Sequence, residues 1–274
     1  MSWERHITIK SKEELAIMRI AGRINAEALR AVYDAIKPGV TTGELNAIAE
    51  RVHNSYGVYS PFKNYPGPYP YPASTTISIN EELVHGIPGN RKLKNGDIVS
   101  VDCGTVYEGF VADSAFSAGV GNIDQKAYDL LKITEQSLYV GISKLKPGNR
   151  IGDVSASIEE FVESHGYYVT HEYTGHGVGR EMHEGPQIPN YGSPGRGMKL
   201  QSGMTLALEP MVLIDAPETK VQKDRWTVSS ANRKLTAHFE HSVAITDNGP
   251  MILSVLEDGS SPVEIVGQDL KEKV

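Results

Sequence analysis

The chain carries one pattern twice. Shifted by 109 residues, Pro38-Gly39 falls on Pro147-Gly148, Gly43-Glu44 on Gly152-Asp153, Ala47 on Ala156, Glu50 on Glu159, Ser55 on Ser164 and Gly57 on Gly166. Shifted by 107, Lys92-Leu93 falls on Lys199-Leu200, Gly96 on Gly203, Val101 on Leu208 and Asp102 on Glu209. Two nearly equal offsets over two separate stretches read as a duplicated unit rather than as generic helix and strand patterns. The duplication predicts an α+β fold: two pseudo-symmetric αα-ββ halves, about 11–118 and 122–250, with a central antiparallel sheet in one domain, residues 1–274. A shared site then lies between the halves, where Asp102 and Glu209 hold matching places.

Local signals fill in each half. Ser11-Lys12-Glu13-Glu14 reads as a capping box opening a helix with apolar positions Leu15, Met18, Ile20 and Ile24, stopped by Pro38-Gly39. Thr41-Thr42-Gly43-Glu44 opens a second helix that ends at Gly57. After a stretch rich in Pro and Tyr (58–76), strands are expected around 76–80, 98–103 and 109–118. The helical pattern returns after Asp124, breaks at Pro147-Gly148 and resumes to Gly166; strands and long loops follow.

Composition narrows the function classes. The net charge of −7, without a long basic block, argues against a nucleic-acid surface as the main business. A single cysteine, Cys103, forms no internal disulfide and fits a reducing cytoplasm. Met1 to Lys10 has no apolar signal region, and no stretch approaches the roughly 18 apolar residues of a membrane helix.

Four carboxylates sit where carboxylates are costly. In the run from Asp97 to Asp102, Val99 and Val101 alternate with Ser100 and Asp102, which puts Asp102 on one strand face. With Tyr107-Glu108 as a two-residue turn, Asp102 faces Asp113 directly, roughly 5 Å away at Cβ; a bulge at Gly109 is the alternative. Like charges so close destabilise a plain sheet unless a cation lies between them. Glu209 interrupts the apolar run from Met204 to Ile214, and Glu240 interrupts Phe239 to Ile245. A buried, unpaired carboxylate costs several kcal/mol or stays protonated, so an exposed hairpin face does not account for all four.

Of nine histidines, three attract attention: His85 in Val84-His85-Gly86-Ile87-Pro88, His176 between Gly175 and Gly177, and His183 in Met182-His183-Glu184-Gly185-Pro186. His6, His53, His165, His171, His238 and His241 receive no role. A ligand set dominated by oxygen, with an imidazole, suits divalent Mn, Fe or Co better than a structural zinc site, which wants thiolates. There are enough carboxylates to hold two ions about 3.5–4 Å apart, an arrangement suited to amide hydrolysis.

In order, His85, Asp102, Asp113, His176, His183, Glu209 and Glu240 resemble the type I methionine aminopeptidases of the pita-bread fold. The flanks that carry the resemblance are Asn80-Glu81-Glu82-Leu83-Val84-His85-Gly86-Ile87-Pro88, Gly175-His176-Gly177-Val178-Gly179-Arg180 and Glu240-His241-Ser242, and the similarity runs from about Ser11 to Asn248. It implies removal of the N-terminal methionine from nascent proteins and peptides, preferring a small second residue, by dinuclear-metal-activated hydroxide attack on the first peptide bond. Two divalent ions are implied, Mn, Fe or Co, with Zn admissible. Their ligands would be Asp102, Asp113, His176, Glu209 and Glu240, with Asp113 and Glu240 shared. Glu209 would be the general base, His183 would hydrogen-bond the scissile carbonyl, and His85 would contact the substrate near the scissile amide. The methionine pocket would be Tyr71, Trp226, Met182 and Met211, with Phe62 or Tyr69 as further candidates.

Two features depart from the family pattern. Met182 stands where many relatives have an aromatic residue, and the segment 65–72 is longer than the usual loop, which suggests a lip over the substrate entrance, with a proline-rich partner site as the alternative. The same fold and metal set also serve proline-specific peptidases, but the capping box at Ser11 leaves no room for their N-terminal domain. Only 25 residues separate His183 from Glu209, too few for the type II insertion. A metal-free binding protein would have lost ligands that are all present here. The implied partners are nascent polypeptide N-termini, with the ribosome a candidate that no motif encodes; no membrane or nucleic-acid substrate is expected, and monomer is the default. Met1-Ser2 predicts that an active enzyme trims its own Met1.

Overall fold

Residues 7–265 are described by a computed structural model; the expectation for Met1-Ser2 and any role of the tail beyond residue 265 lie outside the described residues. Helix α1 (Lys12–Asp34) starts at Ser11, whose side chain accepts from Glu14 N while the Glu14 carboxylate accepts from Ser11 N. Thr41 and Glu44 make the same reciprocal cap for α2 (Thr42–Tyr56), which ends on Gly57 in the left-handed conformation. Strands β1 (Thr75–Ile79), β2 (Glu82–Val84), β3 (Ile98–Tyr107) and β4 (Phe110–Gly119) complete the first half.

The second half opens with α3 (Gln125–Lys144), capped by Asp124, and α4 (Ile151–Ser164). Strands β5 (Tyr167–Val169), β6 (Thr174–Gly177), β7 (Glu184–Pro189), β8 (Thr205–Leu208) and β9 (Met211–Ile214) follow. The chain then forms β10 (Thr219–Val221), β11 (Val228–Ser230), β12 (Thr236–His238), β13 (Glu240–Thr246) and β14 (Gly249–Ile252). An antiparallel sheet runs β1-β3-β4-β13-β8-β6-β7, with β14 beside β13; two three-stranded sheets, β10-β11-β2 and β12-β9-β5, flank it. Among the described residues no helix is long and apolar enough to cross a membrane.

Both offsets of the repeat reappear as backbone geometry. The isolated bridges Thr41↔Lys92 and Arg150↔Lys199 differ by 109 at one end and 107 at the other. Gly39 N donates to Leu93 O at 2.8 Å, and Gly148 N to Leu200 O at 3.1 Å. Thr42 N donates to Arg91 O at 2.9 Å, and Ile151 N to Met198 O at 3.0 Å. In each half, then, one chain segment docks on the start of the second helix in the same way.

The strand period of two sorts the large sheet into a helix-facing side and a site-facing side. Val99, Val101, Cys103, Phe116, Leu206, Leu208 and Val243 pack into one apolar cluster with Leu29, Val32 and Leu45 from the first helix pair and Leu130, Leu138 and Ile158 from the second. Asp102, Asp113 and Glu240 alternate with these residues and face the other way.

The hairpin register differs from expectation. The turn is Glu108-Gly109, not Tyr107-Glu108: Tyr107 pairs Phe110, Asp102 pairs Ala115 and Gly104 pairs Asp113. Both turn residues have positive φ, 47° and 77°, which glycine at the second position allows. A shift of two residues keeps the face, so Asp102 and Asp113 are diagonal neighbours rather than direct partners.

Candidate active site

The carboxylates come together where the sheets change. β8 and β13 pair with His241 opposite Leu208, while β9 and β12 pair with His238 opposite Met211. Both follow one register across the gap, so Glu209 and Glu240 meet where the ladder is interrupted at Pro210. The apolar run from Met204 to Ile214 forms two strands, split at Glu209-Pro210. This break lets a carboxylate sit inside an otherwise buried segment with its oxygens turned to a cavity.

His176 reaches the same place from β6, which is squeezed between β7 and β8. A Cβ on Gly177 would lie 2.1 Å from Gly185 O, so only glycine admits this approach. The His176 Nδ1–H is held by Gly177 O at 2.9 Å, leaving Nε2 as a lone pair aimed at the carboxylates. Nε2 lies 3.5 Å from Glu209 Oε1 and 4.0 Å from Asp113 Oδ2. Asp113, His176 and Glu240, all buried, offer three ligand atoms within 4.8 Å of one another.

These groups lack the partners that buried anions need. Asp102 Oδ1, Asp113 Oδ1 and Glu240 Oε1 are buried with no hydrogen-bond partner. Burial pushes Asp102 up to about 7. Burial, and then the charges of Glu240 and Asp102, raise Asp113 well above the carboxylate range; burial followed by the other acids does the same to Glu209 and Glu240. A divalent cation removes this cost, and unpartnered carboxylate oxygens beside one imidazole lone pair are the donor set it takes. The site fits metal.

Around this floor lies a cavity of about 190 Å³. Its walls hold the other expected residues: His85 and His183, and Tyr71, Met182, Met211 and Trp226. Phe62 lines it too. Tyr69 does not: it is 38% exposed and donates to Asp224 O at 2.9 Å outside the cavity. Burial keeps His85 and His176 neutral, near 4, and His183 near 2, where His176 and His85 add to the effect. A neutral His183 can donate one N–H to an oxyanion, since one ring nitrogen keeps its proton.

Sequence reasoning missed two residues here. Tyr65 lines the cavity and touches His183 Nδ1 at 2.6 Å. His238, left without a role, has Nε2 at 3.7 Å from Glu209 Oε2 and 4.0 Å from Glu240 Oε2. The alternation of His238 and Glu240 was a signal for the second; for the first, the expected lip 65–72 begins at Tyr65, but nothing set this tyrosine apart from the others in the segment.

Residues 16–247 match metallopeptidase family M24. The chain belongs to that family. It is similar to the methionine aminopeptidase of Clostridium acetobutylicum, 48% identical over 252 residues, covering 92% of this chain and 100% of that one. It superposes on the methionine aminopeptidase structure from Thermotoga maritima with a TM-score of 0.88 and 45% identity, covering 90% of this chain and 99% of that chain. The prolidase from Pyrococcus furiosus shares the fold at a TM-score of 0.72 and 25% identity, and this chain covers only 66% of it. The pita-bread architecture is therefore common to both kinds of relative. The chain is a metal-dependent hydrolase whose buried Asp, His and Glu cluster suits divalent ions.

Proposed function

We propose that the chain is a type I methionine aminopeptidase, removing the first methionine from nascent proteins and peptides when the second residue is small. The observation that carries this reading is the buried Asp113, His176 and Glu240 cluster at the floor of a cavity walled by sulfur and aromatic side chains. An unbranched thioether is soft and polarisable, and Met182, Met211, Tyr71 and Trp226 offer it an apolar wall.

In this reading Asp102, Asp113, His176, Glu209 and Glu240 would hold two divalent ions, Mn, Fe or Co, with Zn admissible. When bound, such ions supply Lewis-acid activation of water and carbonyl. Glu209 accepts the proton of the attacking water and delivers it to the leaving amine nitrogen. His183 donates its N–H to the carbonyl oxygen as charge develops there, and His85 meets the substrate backbone beside the scissile amide. The apolar wall excludes competing water. We read residues 1–274 as one catalytic domain working as a cytoplasmic monomer that meets nascent chains near the ribosome; the buried lone Cys103 suits that compartment.

The deciding experiment is methionine release from Met-Ala-Ser and Met-Leu-Ser, with and without added Mn, Co or Fe, for wild type and Glu209→Gln. Metal-dependent release from the alanine peptide alone, lost in the variant, is expected. Cleavage of Xaa-Pro peptides instead, or of nothing, overturns the reading.

A further inference from the structure

We propose that His238 is a positioning residue for Glu209, its Nε2–H engaging Glu209 Oε2 so that Oε1 stays turned toward His176. This rests on Glu209 being the general base. Three observations lead to it.

The first is an unsatisfied group. His238 is 2% exposed, its Nε2 has no hydrogen-bond partner, and it points at two carboxylates. The nearer, Glu209 Oε2, is 3.7 Å away, just outside hydrogen-bond range; a small turn of the Glu209 carboxylate closes it. The two oxygens of Glu209 thus face two different imidazoles, Oε1 toward His176 and Oε2 toward His238.

The second is rigidity. His238 N donates to Ser117 Oγ and Ser117 Oγ meets His238 O, both at 2.8 Å, while Ser117 Oγ also lies 2.6 Å from Ser100 Oγ. The backbone of His238 is therefore anchored to the β3–β4 hairpin of the other half, and with its side chain buried the imidazole has little freedom to leave the carboxylate it faces.

The third is the repeat. In the first half Asp113 pairs Gly104; the 107-residue shift takes Gly104 to Met211, and Met211 pairs His238. His238 is the second half's counterpart of Asp113. It does not repeat that residue's place in the cluster: Asp113 brings a ligand atom within 4.8 Å of those of His176 and Glu240, whereas His238 Nε2 stands beside the cluster, nearest to Glu209 Oε2 at 3.7 Å. Duplication placed a polar side chain at the site's edge, and there it steers a neighbour.

Two matched variants test this. In His238→Gln the amide nitrogen occupies roughly the place of Nε2; in His238→Asn it occupies that of Nδ1 and cannot reach Glu209. The asparagine variant is expected to lose kcat on Met-Ala-Ser by roughly 10- to 100-fold with KM within about twofold, as for a group acting in the transition state. Glutamine restores most of that loss. Thermal unfolding of the metal-free forms and Co(II) binding stoichiometry and absorption spectra should match wild type in both. Equal kcat in the two variants overturns the proposal, whether both are high or both low. So does loss of a Co(II) equivalent or a shifted ligand-field spectrum, which makes His238 a metal ligand. Glu209→Gln is measured alongside: if it retains activity, the reading of Glu209 as base fails, whatever the His238 variants do.

Discussion

Tyr65 and His183 meet at the cavity wall, with the phenol oxygen 2.6 Å from Nδ1 and the rings edge-on at 5.2 Å between centroids. Tyr65 is held in its protonated form by burial, which raises it above the usual phenol value. With the phenol donating, Nδ1 is the acceptor and the ring proton lies on Nε2, the tautomer needed to donate to a carbonyl. Tyr65→Phe is expected to lower kcat/KM for Met-Ala-Ser by roughly 3- to 10-fold, the worth of one neutral hydrogen bond. Steady-state kinetics decide; an unchanged kcat/KM removes Tyr65 from the reaction.

The loop carrying Met182 and His183 is moored by a buried ion pair. Lys10 Nζ lies 2.5 Å from Glu184 Oε2, with side chains 3% and 4% exposed, and Glu184 Oε1 accepts from Arg180 N at 2.7 Å. Burial lowers Lys10, and Glu184 recovers only part of that; for Glu184, burial pushes upward, but the bonds from Lys10 and Thr8, the Lys10 charge and the Arg180 N–H together hold it below its usual value. Lys10→Met strands a buried carboxylate and should cost about 3 kcal/mol, whereas Lys10→Met with Glu184→Met should recover much of it. Denaturant titration of both checks this, and kcat/KM should fall with the single variant as the loop loosens.

Metal removal should expose the cost of four buried acids. Their folded pKa values lie above the unfolded ones, so the metal-free fold binds more protons than the unfolded chain between the two values. Stability from these groups is fully present below about pH 4 and falls as pH rises, for Asp102 through about 7. The buried histidines oppose this below about pH 7, because they stay neutral in the fold down to about 4 or lower but take up protons near 6.5 when unfolded. Chelated protein should therefore lose Tm between about pH 7 and 8.5. Added Mn or Co should restore it, by about 2.7 kcal/mol at a hundredfold excess over Kd. A chelated protein whose Tm rises over that interval contradicts the assignment.

Gly67 sets the place of Trp226. A Cβ there would lie 2.4 Å from the indole ring, which also donates Nε1–H to Tyr69 O at 3.2 Å and packs edge-on to Tyr71 at 5.2 Å. Gly67→Ala should displace the indole and raise KM for methionyl peptides by roughly 10-fold, with kcat less affected. Comparing Met-Ala-Ser with Leu-Ala-Ser should show relaxed preference; unchanged KM values would mean the lip does not shape the pocket.

Much of this was written in local pattern. The capping boxes Ser11/Glu14 and Thr41/Glu44 are satisfied within one turn of helix, so neighbouring residues alone specify them. The offsets of 109 and 107 were legible because each half must make the same backbone contacts. The alternation around Asp102 and Asp113 fixed their common face, since period two does not depend on which turn closes the hairpin. Their register did depend on it. Glu108 and Gly109 share the positive-φ work of the turn, a demand that Gly at the second position announces, and placing the turn one residue earlier misaligned the pairing.

What only the tertiary structure decided is how distant segments meet. Glu209 and Pro210 lie inside one apolar run that two sheets divide, because a change of sheet leaves no mark on hydrophobic pattern. Tyr65 meets His183 across 118 residues, and His238 gains its place from a pairing with Met211. The sequence by itself determined the four helices, the first-half hairpin, the duplication and the acids too costly to bury without a cation, since propensity, capping and desolvation act locally. The pairing of each imidazole with a particular carboxylate oxygen was decided by packing, which sets distances between residues that the chain alone leaves free.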